Sequence, residues 1–129
     1  MLPLLRRKAW VAASVLLVAI VVVASLTPSG AMPMPPVFGF DKVEHFVAYA
    51  VLAAWFAGLY PRSSYLRIAI WLALLGLAIE VLQQAMGLGR EGDPFDLLAD
   101  IAGIGAGLWL GAAVGGGWAL RVESWLGRR

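Results

Sequence analysis

Four long apolar runs, separated by short polar breaks, are the feature that most limits the folds open to this chain. They cover residues 9–26, 46–60, 65–86 and 97–120. Crossing a bilayer takes about 20 apolar residues, within a range of about 17–25. The chain is 61% hydrophobic and only 14% charged, whereas a typical soluble domain is about 25% charged. The sequence therefore predicts an integral membrane protein.

Composition argues against several other classes of protein. The formal net charge of +2 is too small to indicate a nucleic-acid-binding protein, and no basic tract with interleaved aromatic residues is present. The absence of cysteine excludes disulfides, thiolate metal sites and a cysteine nucleophile. Short runs of alternating polarity, which indicate strands, are also absent. We therefore predict an all-α, polytopic four-transmembrane-helix bundle, with the lipid bilayer as a partner and no nucleic acid.

The breaks between the runs give the expected segments. The first run could be a cleaved signal peptide, but it is longer than the usual hydrophobic region of about 7–15 residues, so we expect a retained span. The second run is short and spans only if its helix begins near residue 43. The expected segments are a basic cytoplasmic leader at 1–8, a membrane domain at 9–120 with helices at about 9–26, 43–60, 65–86 and 97–120, and a basic amphipathic cytoplasmic tail at 121–129.

Capping and packing patterns support these helices. Asp41 with Glu44 fits a capping box at the start of the second helix. Asp93 followed by Pro94 fits an N-cap with proline in the first turn of the fourth helix. In the fourth helix, glycine recurs at every fourth position from 103 to 115, a pattern that permits close helix contact in a bilayer. This stripe predicts packing within one chain, and it would equally allow a homo-oligomer.

The distribution of basic residues predicts the orientation of the bundle. Eight of the ten lysines and arginines lie in the leader, in the loop between the second and third helices, and in the tail. The other two loops carry only Lys42 and Arg90. Because basic residues accumulate on the cytoplasmic side, both termini should be cytoplasmic and the other two loops should face outward.

Polar side chains within the apolar runs should gather near that outer surface. Glu80 lies inside the third run, where a charged side chain is expensive and often functional. Helical spacing places His45 on one face with Asp41 and Tyr49, and Asp96 on one face with Asp100. Glu80 is expected to share a face with two glutamines. The predicted layer consists of Asp41, Glu44, His45, Glu80, Gln83, Gln84, Arg90, Asp93, Asp96 and Asp100. The candidate site residues are the members of this layer other than Glu44 and Asp93, together with Lys42 and Tyr49.

Several chemistries suit this layer. His45 and Glu80 could act as general acid and base. Asp96 and Asp100 could hold a divalent cation, the one cofactor that the residue types suggest. Arg90 with Lys42 could bind a phosphate or carboxylate head group. The other expected ligand-binding residues are Asp41, Tyr49, Gln83 and Gln84. The alternative is a hydrogen-bonded polar plug that only fixes the register of the helices.

The pattern of these residues carries a family resemblance. Asp41-Lys-x-x-His45-Phe-x-x-Tyr49, Glu80-x-x-Gln83, Arg90 and Asp96-x-x-x-Asp100-x-x-Gly103 together resemble the VanZ-like family of small bacterial membrane proteins. The resemblance covers roughly residues 40–115. The family commonly has asparagine at the position of Asp100. The extra negative charge beside Glu80 would favour a shared proton or a bound cation.

The resemblance implies a multi-pass protein of the bacterial cytoplasmic (inner) membrane and cell envelope. The family's named member is linked to low-level resistance to the glycopeptide antibiotic teicoplanin, and no catalytic activity is implied. The function predicted first is binding of an envelope lipid or a glycopeptide-like ligand at the outward-facing layer. The alternative is a membrane enzyme that acts on a lipid-linked phosphate or similar head group. A transporter ranks last, because four short helices make too small a bundle for a pore.

Overall fold

The structure, a computed structural model, describes residues 1–26, 40–86 and 94–127, and over these ranges every regular element is a helix. Four of the helices are long and apolar enough to cross a membrane. A one-turn 3-10 helix, Arg62–Ser64, leads directly into the third of them. The five α-helices are α1 (Arg7–Leu26), α2 (Phe40–Leu59), α3 (Tyr65–Met86), α4 (Pro94–Ala113) and α5 (Trp118–Gly127).

The four long helices run alternately up and down, so the bundle has two chemically different ends. At one end, here called the polar end, the Gln83 amide of α3 donates to the Ser25 carbonyl of α1. At the opposite end, here called the terminal end, the Leu2 amide donates to the Leu59 carbonyl at the end of α2. The polar end therefore joins the ends of α1 and α3 to the starts of α2 and α4.

The tightest packing in the bundle is between α2 and α4, and glycines make it possible. A β-carbon at Gly103 would overlap the backbone carbonyl of Phe46, and one at Gly107 would overlap that of Ala50. Gly111 lies in the same way against Ala57. Close approach of backbones is how small residues stabilise helix pairs in a bilayer, where burial of apolar area gives no net drive.

The predicted fourth helix, 97–120, is divided into two helices in the structure. It ends at Ala113, and Gly115, Gly116 and Gly117 follow with φ angles of 95°, 68° and 57°. Only glycine adopts such angles without steric cost. The amide of Gly116 donates back to the Gly111 carbonyl at 2.8 Å, which closes the helix end. Gly115 therefore forms the turn and is not part of the packing stripe.

The starts of α2 and α4 bear on the capping predictions. α2 begins at Phe40, so Asp41 lies in its first turn and not at the N-cap position. α4 begins at Pro94, which agrees with proline in the first turn. The side chain of Asp41 and the whole of Asp93 lie outside the described residues.

A carboxylate from α5 holds the start of α1. Glu123 is buried, and its two oxygens accept from the backbone amides of Leu5 at 2.7 Å and Arg6 at 2.8 Å. The indole N–H of Trp10 donates to the same carboxylate at 2.8 Å. Leu5 and Arg6 directly precede α1, so their amides lie at its positive end and, like the first amides of the helix, have no intrahelical acceptor. Glu123 therefore caps α1 from the far end of the chain, an arrangement here called the Glu123 clamp.

Three tryptophans pack beside this clamp. Trp10, Trp55 and Trp118 come from α1, α2 and α5, and their ring centroids are 5.5–5.8 Å apart in tilted or edge-on pairs. Such geometry is favourable for aromatic rings. The three rings thus form an internal cluster that joins α1, α2 and α5. The three indole N–H groups donate to the Glu123 carboxylate, the Ser14 hydroxyl and the Ala54 carbonyl, respectively.

Candidate functional site

His45 is the centre of a buried polar cluster at the polar end. It lies on α2, where its Nδ1 is 2.8 Å from Oδ1 of Asp100 on α4. Its Nε2 is 3.8 Å from Oδ2 of Asp96, one turn earlier on α4. When Asp100 is ionised it only accepts, and Nδ1 of His45 is then the donor. The close α2–α4 contact fixes the ring orientation of His45, and an ionised Asp100 also sets its tautomer.

Asp96 connects this buried pair to the edge of the site. The Nζ of Lys42 is 3.6 Å from Oδ1 of Asp96, and the Lys42 side chain is 43% exposed while Asp96 is buried. Lys42 and His45 lie on the same face of α2, three residues apart. The structure therefore brings together four of the predicted site residues in one connected chain from the surface to the core, namely Lys42, Asp96, His45 and Asp100.

Glu80 completes a group of possible metal ligands. His45, Glu80 and Asp96 are all buried, and each offers one ligand atom within 4.8 Å of the other two. Hard cations such as Ca²⁺ bind oxygen ligands at about 2.3–2.6 Å, so a small inward movement would bring all three atoms into contact with one ion. The sequence predicted Asp96 and Asp100 as metal ligands. In the structure Asp100 instead contacts the opposite ring nitrogen of His45, the position of a carboxylate that orients a metal-bound histidine.

Tyr49 lies one helical turn after His45 on α2, and its side chain is buried. Within the described part of the chain, its hydroxyl has no hydrogen-bond partner. A β-carbon at Gly76 of α3 would come within 2.7 Å of Oδ2 of Asp100 and 3.3 Å of the Tyr49 hydroxyl. The absence of a side chain at Gly76 therefore makes the room in which these two oxygens lie.

The two glutamines predicted to accompany Glu80 are separated by the structure. Gln83 is buried and donates to the Ser25 carbonyl at 2.6 Å, which ties the end of α1 to α3. Gln84 lies on the exposed side of α3. The two glutamines lie about 60° and about 40° to either side of Glu80 around the helix axis, and the rotation of α3 in the bundle turns Gln83 inward and Gln84 outward. Arg90 and the side chain of Asp41 are outside the described residues.

A cleft between α1 and α2 leads to the cluster. Its volume is about 200 Å³. Apolar side chains of α1 and α2 form most of its wall, and His45 and Tyr49 lie at its floor. The lining residues are Ile20, Val21, Ala24, Ser25, Glu44, His45, Ala48 and Tyr49.

Three contributors to this site were not predicted as site residues. Ser25 and Glu44 line the cleft, and Gly76 gives space to Asp100 and Tyr49. Gly76 lies four residues before Glu80, hence on the same helical face, and this spacing is the signal that could have found it. No comparable signal marks Ser25, because its contribution depends on how α1 docks.

The described part of the site is rich in carboxylates. Glu44, Glu80, Asp96 and Asp100 lie in or beside the cleft, and Lys42 and His45 are the basic groups among the described residues there. Such a surface favours ligand groups that donate hydrogen bonds, such as hydroxyl or ammonium groups. It favours a phosphate only where a cation or a further basic group offsets the negative charge.

These features define a helical membrane protein with four apolar spans and a buried histidine–carboxylate cluster at one end. A family model described as VanZ/LLP1 matches residues 6–115. Because the match covers most of the chain, the protein belongs to the VanZ-like family, as the sequence pattern predicted. No curated protein and no solved structure matches the chain. The matched range includes the whole His45 cluster and stops at the glycine turn before α5.

Proposed function

We propose that this protein binds the head group of an envelope lipid or a chemically similar amphiphile at its polar end. The observation that carries the proposal is the buried His45, held by Asp100 at the floor of a cleft with apolar walls. The apolar walls suit acyl chains, and the carboxylates beside the cleft suit hydroxyl or ammonium groups. Pockets that bind such ligands combine mostly apolar lining with a few fixed polar groups.

The proposal includes an orientation, with the polar end facing away from the cytoplasm in a bacterial inner membrane. The excess of basic residues at the terminal end supports it. Because the chain has no cysteine, single introduced thiols report their side directly. In intact cells, a membrane-impermeant maleimide should label Glu44→Cys and should label Ser63→Cys only after lysis. The reverse pattern would place the polar end in the cytoplasm and contradict the proposal.

The central test is the Asp100→Asn variant. Asparagine keeps an oxygen that accepts from Nδ1 of His45 and removes one negative charge from the cluster. If the cluster serves a ligand, the variant should melt in detergent at the wild-type temperature or higher, as expected where function opposes stability. Its affinity for the ligand should fall about tenfold, because a neutral amide oxygen makes a weaker hydrogen bond to His45 than the charged carboxylate does and holds the ring less firmly.

Binding is measured by native mass spectrometry with three separate probes, phosphatidylethanolamine, phosphatidylglycerol and teicoplanin. Ala102→Ser, on the exposed face of α4, is the matched control and should behave as wild type in both measurements. A lower melting temperature for Asp100→Asn, with no binding of any probe to wild type, would show a structural plug and end the proposal. If teicoplanin is the only probe that binds, the ligand is glycopeptide-like and not a lipid, and the site is connected to resistance.

The His45–Asp100 hydrogen bond favours a second candidate, an enzyme acting on a lipid-linked phosphate. A carboxylate that orients histidine is a common part of acid–base sites. His45, oriented by Asp100, and Glu80 would move protons, Arg90 would contact the anion, and Asp96 would hold a cation. Acid–base catalysis by His45 and metal binding by His45 exclude each other, because a nitrogen bound to a metal ion is not available as a base.

Proteoliposomes that contain phosphatidic acid and Mg²⁺ test this alternative. If the protein is such an enzyme, wild type should release inorganic phosphate, and His45→Ala should release none at equal protein abundance. Equal release by both would exclude His45 as the acid or base. If Mg²⁺ or Zn²⁺ alone raises the melting temperature of wild type, and this rise is lost in His45→Ala, His45 is a metal ligand.

A further inference from the structure

A second groove lies at the terminal end of the bundle, between α1 and α3, far from the His45 cluster. Its volume is about 510 Å³. Val18 of α1 and Phe56 of α2 form one side, and Ile68, Leu72 and Leu75 of α3 form the other. The three α3 residues follow helical spacing along one face. The groove therefore runs along the helix axis, in the direction of an acyl chain in a bilayer.

The mouth of this groove is polar. Tyr60, Ser64 and Arg67 line it. Arg67 is exposed in the first turn of α3, within an apolar span. No carboxylate of the described residues lies within ion-pair distance of it. Arg62, by contrast, donates to the Ala112 carbonyl at the end of α4, so its guanidinium already has a structural partner.

Loose packing of α1 leaves this groove for lipid to fill. Only 6% of the α1 span is buried inside the protein. The helix is held at its two ends by the Glu123 clamp and by Gln83 at Ser25, and between them by the hydrogen bond from Trp55 to Ser14. A gap of this size between helices would lose dispersion contacts on both walls if it stayed empty. In a bilayer, acyl chains are available to fill it.

We propose that this groove is a binding site for an anionic phospholipid, separate from the site at the polar end. One acyl chain lies along Ile68, Leu72 and Leu75, and the phosphate contacts Arg67. Guanidinium groups bind phosphate oxygens in a bidentate manner. The hydroxyls of Tyr60 and Ser64 are placed to donate to the remaining oxygens. Basic pockets between helices at the membrane surface are a known way to select anionic lipids.

Native mass spectrometry of the full chain, released from detergent with defined lipids, tests the site. Wild type should retain phosphatidylglycerol in preference to phosphatidylcholine, which carries the same phosphate but no net charge. Arg67→Gln should weaken phosphatidylglycerol retention about fivefold, the effect of one arginine near an anionic surface. Leu75→Trp, which fills the groove, should weaken retention of both lipids. Excess inorganic phosphate should not displace the lipid, because the acyl chain contributes to binding.

Arg7→Gln is the control, because Arg7 is exposed at the same end but does not line the groove. It should leave the preference unchanged. If Arg7→Gln and Arg67→Gln lose phosphatidylglycerol retention equally, the effect comes from the overall charge of the terminal end, and the proposed site is wrong. Equal retention of the two lipids by wild type would overturn it as well. In the His45→Ala background, Arg67→Gln should still weaken phosphatidylglycerol retention about fivefold, so failure of the polar-end proposal remains distinguishable.

Discussion

Gly103→Ala should melt at a clearly lower temperature than wild type, by the equivalent of about 1–3 kcal/mol of stability, the usual cost of adding a methyl group to a filled core. The new β-carbon would overlap the backbone carbonyl of Phe46. A backbone oxygen cannot rotate away as a long side chain can, so α2 and α4 must separate. Because α4 carries Asp96 and Asp100, their separation should also disturb both contacts to His45.

Gly105 provides the matched control for this prediction. It lies two residues along the same helix, and a β-carbon there would meet nothing within 4 Å. Gly105→Ala should therefore melt at the wild-type temperature or above it, because alanine favours helix by up to about 1 kcal/mol over glycine. Equal melting temperatures of the two variants, measured by tryptophan fluorescence in detergent, would contradict the α2–α4 packing described above.

Glu123→Gln should release α1 from its clamp. Glutamine has one acceptor oxygen where the carboxylate has two, and it lacks the charge that favours the positive end of the helix. The Leu5 and Arg6 amides and the Trp10 indole would then compete for one acceptor. We expect a melting temperature several degrees below wild type and a red shift of tryptophan emission, because Trp10 belongs to the ring cluster. Trp10→Phe, which removes one of the three donors, should have an intermediate effect, and Ser124→Ala should have none.

The same clamp gives stability a defined pH dependence. Burial by itself would raise the pKa of Glu123, but the hydrogen bonds from Arg6, Leu5 and Trp10 and the charge of Arg6 hold it below the ordinary 4.5. A group with a lowered pKa stabilises the fold fully above its unfolded value and loses that contribution as pH falls through the folded value. The difference in melting temperature between wild type and Glu123→Gln should therefore be constant above about pH 5.5 and shrink below pH 4.5. A difference that does not change down to pH 3 would rule out the carboxylate as the cause.

Much of the fold follows from the chain's hydropathy, and the places where prediction failed have physical reasons. Apolar runs of spanning length specified four helices, and three of them begin and end within a few residues of the predicted bounds. The break after Ala113 was missed because glycine and tryptophan continue the apolar run without a polar residue. What ends the helix is a backbone conformation, which hydropathy does not record.

The site, like the fold, has contacts that the sequence predicts and contacts that it does not. Helical spacing and alternating direction were enough to bring His45, Asp96 and Asp100 together, since these depend only on register within helices. The roles of Gln83 and Gln84 could not be separated, because the rotation of α3 about its axis is set by packing against α1. Glu123 was missed for a related reason. Its partners are backbone amides near the other end of the chain. Residue types alone do not show which backbone amides will donate to a given carboxylate.

The clamp also bears on the order in which the protein is assembled during synthesis. Leu5 and Glu123 are 118 positions apart, so the carboxylate leaves the ribosome long after α1 has entered the bilayer. Contacts between distant positions form late, because the intervening loop must close first. We expect α1 to associate first through the hydrogen bonds of Ser14 with Trp55 and of Ser25 with Gln83, both of which are available before α5 is made. The start of the first helix would then be the last part of the bundle to be fixed.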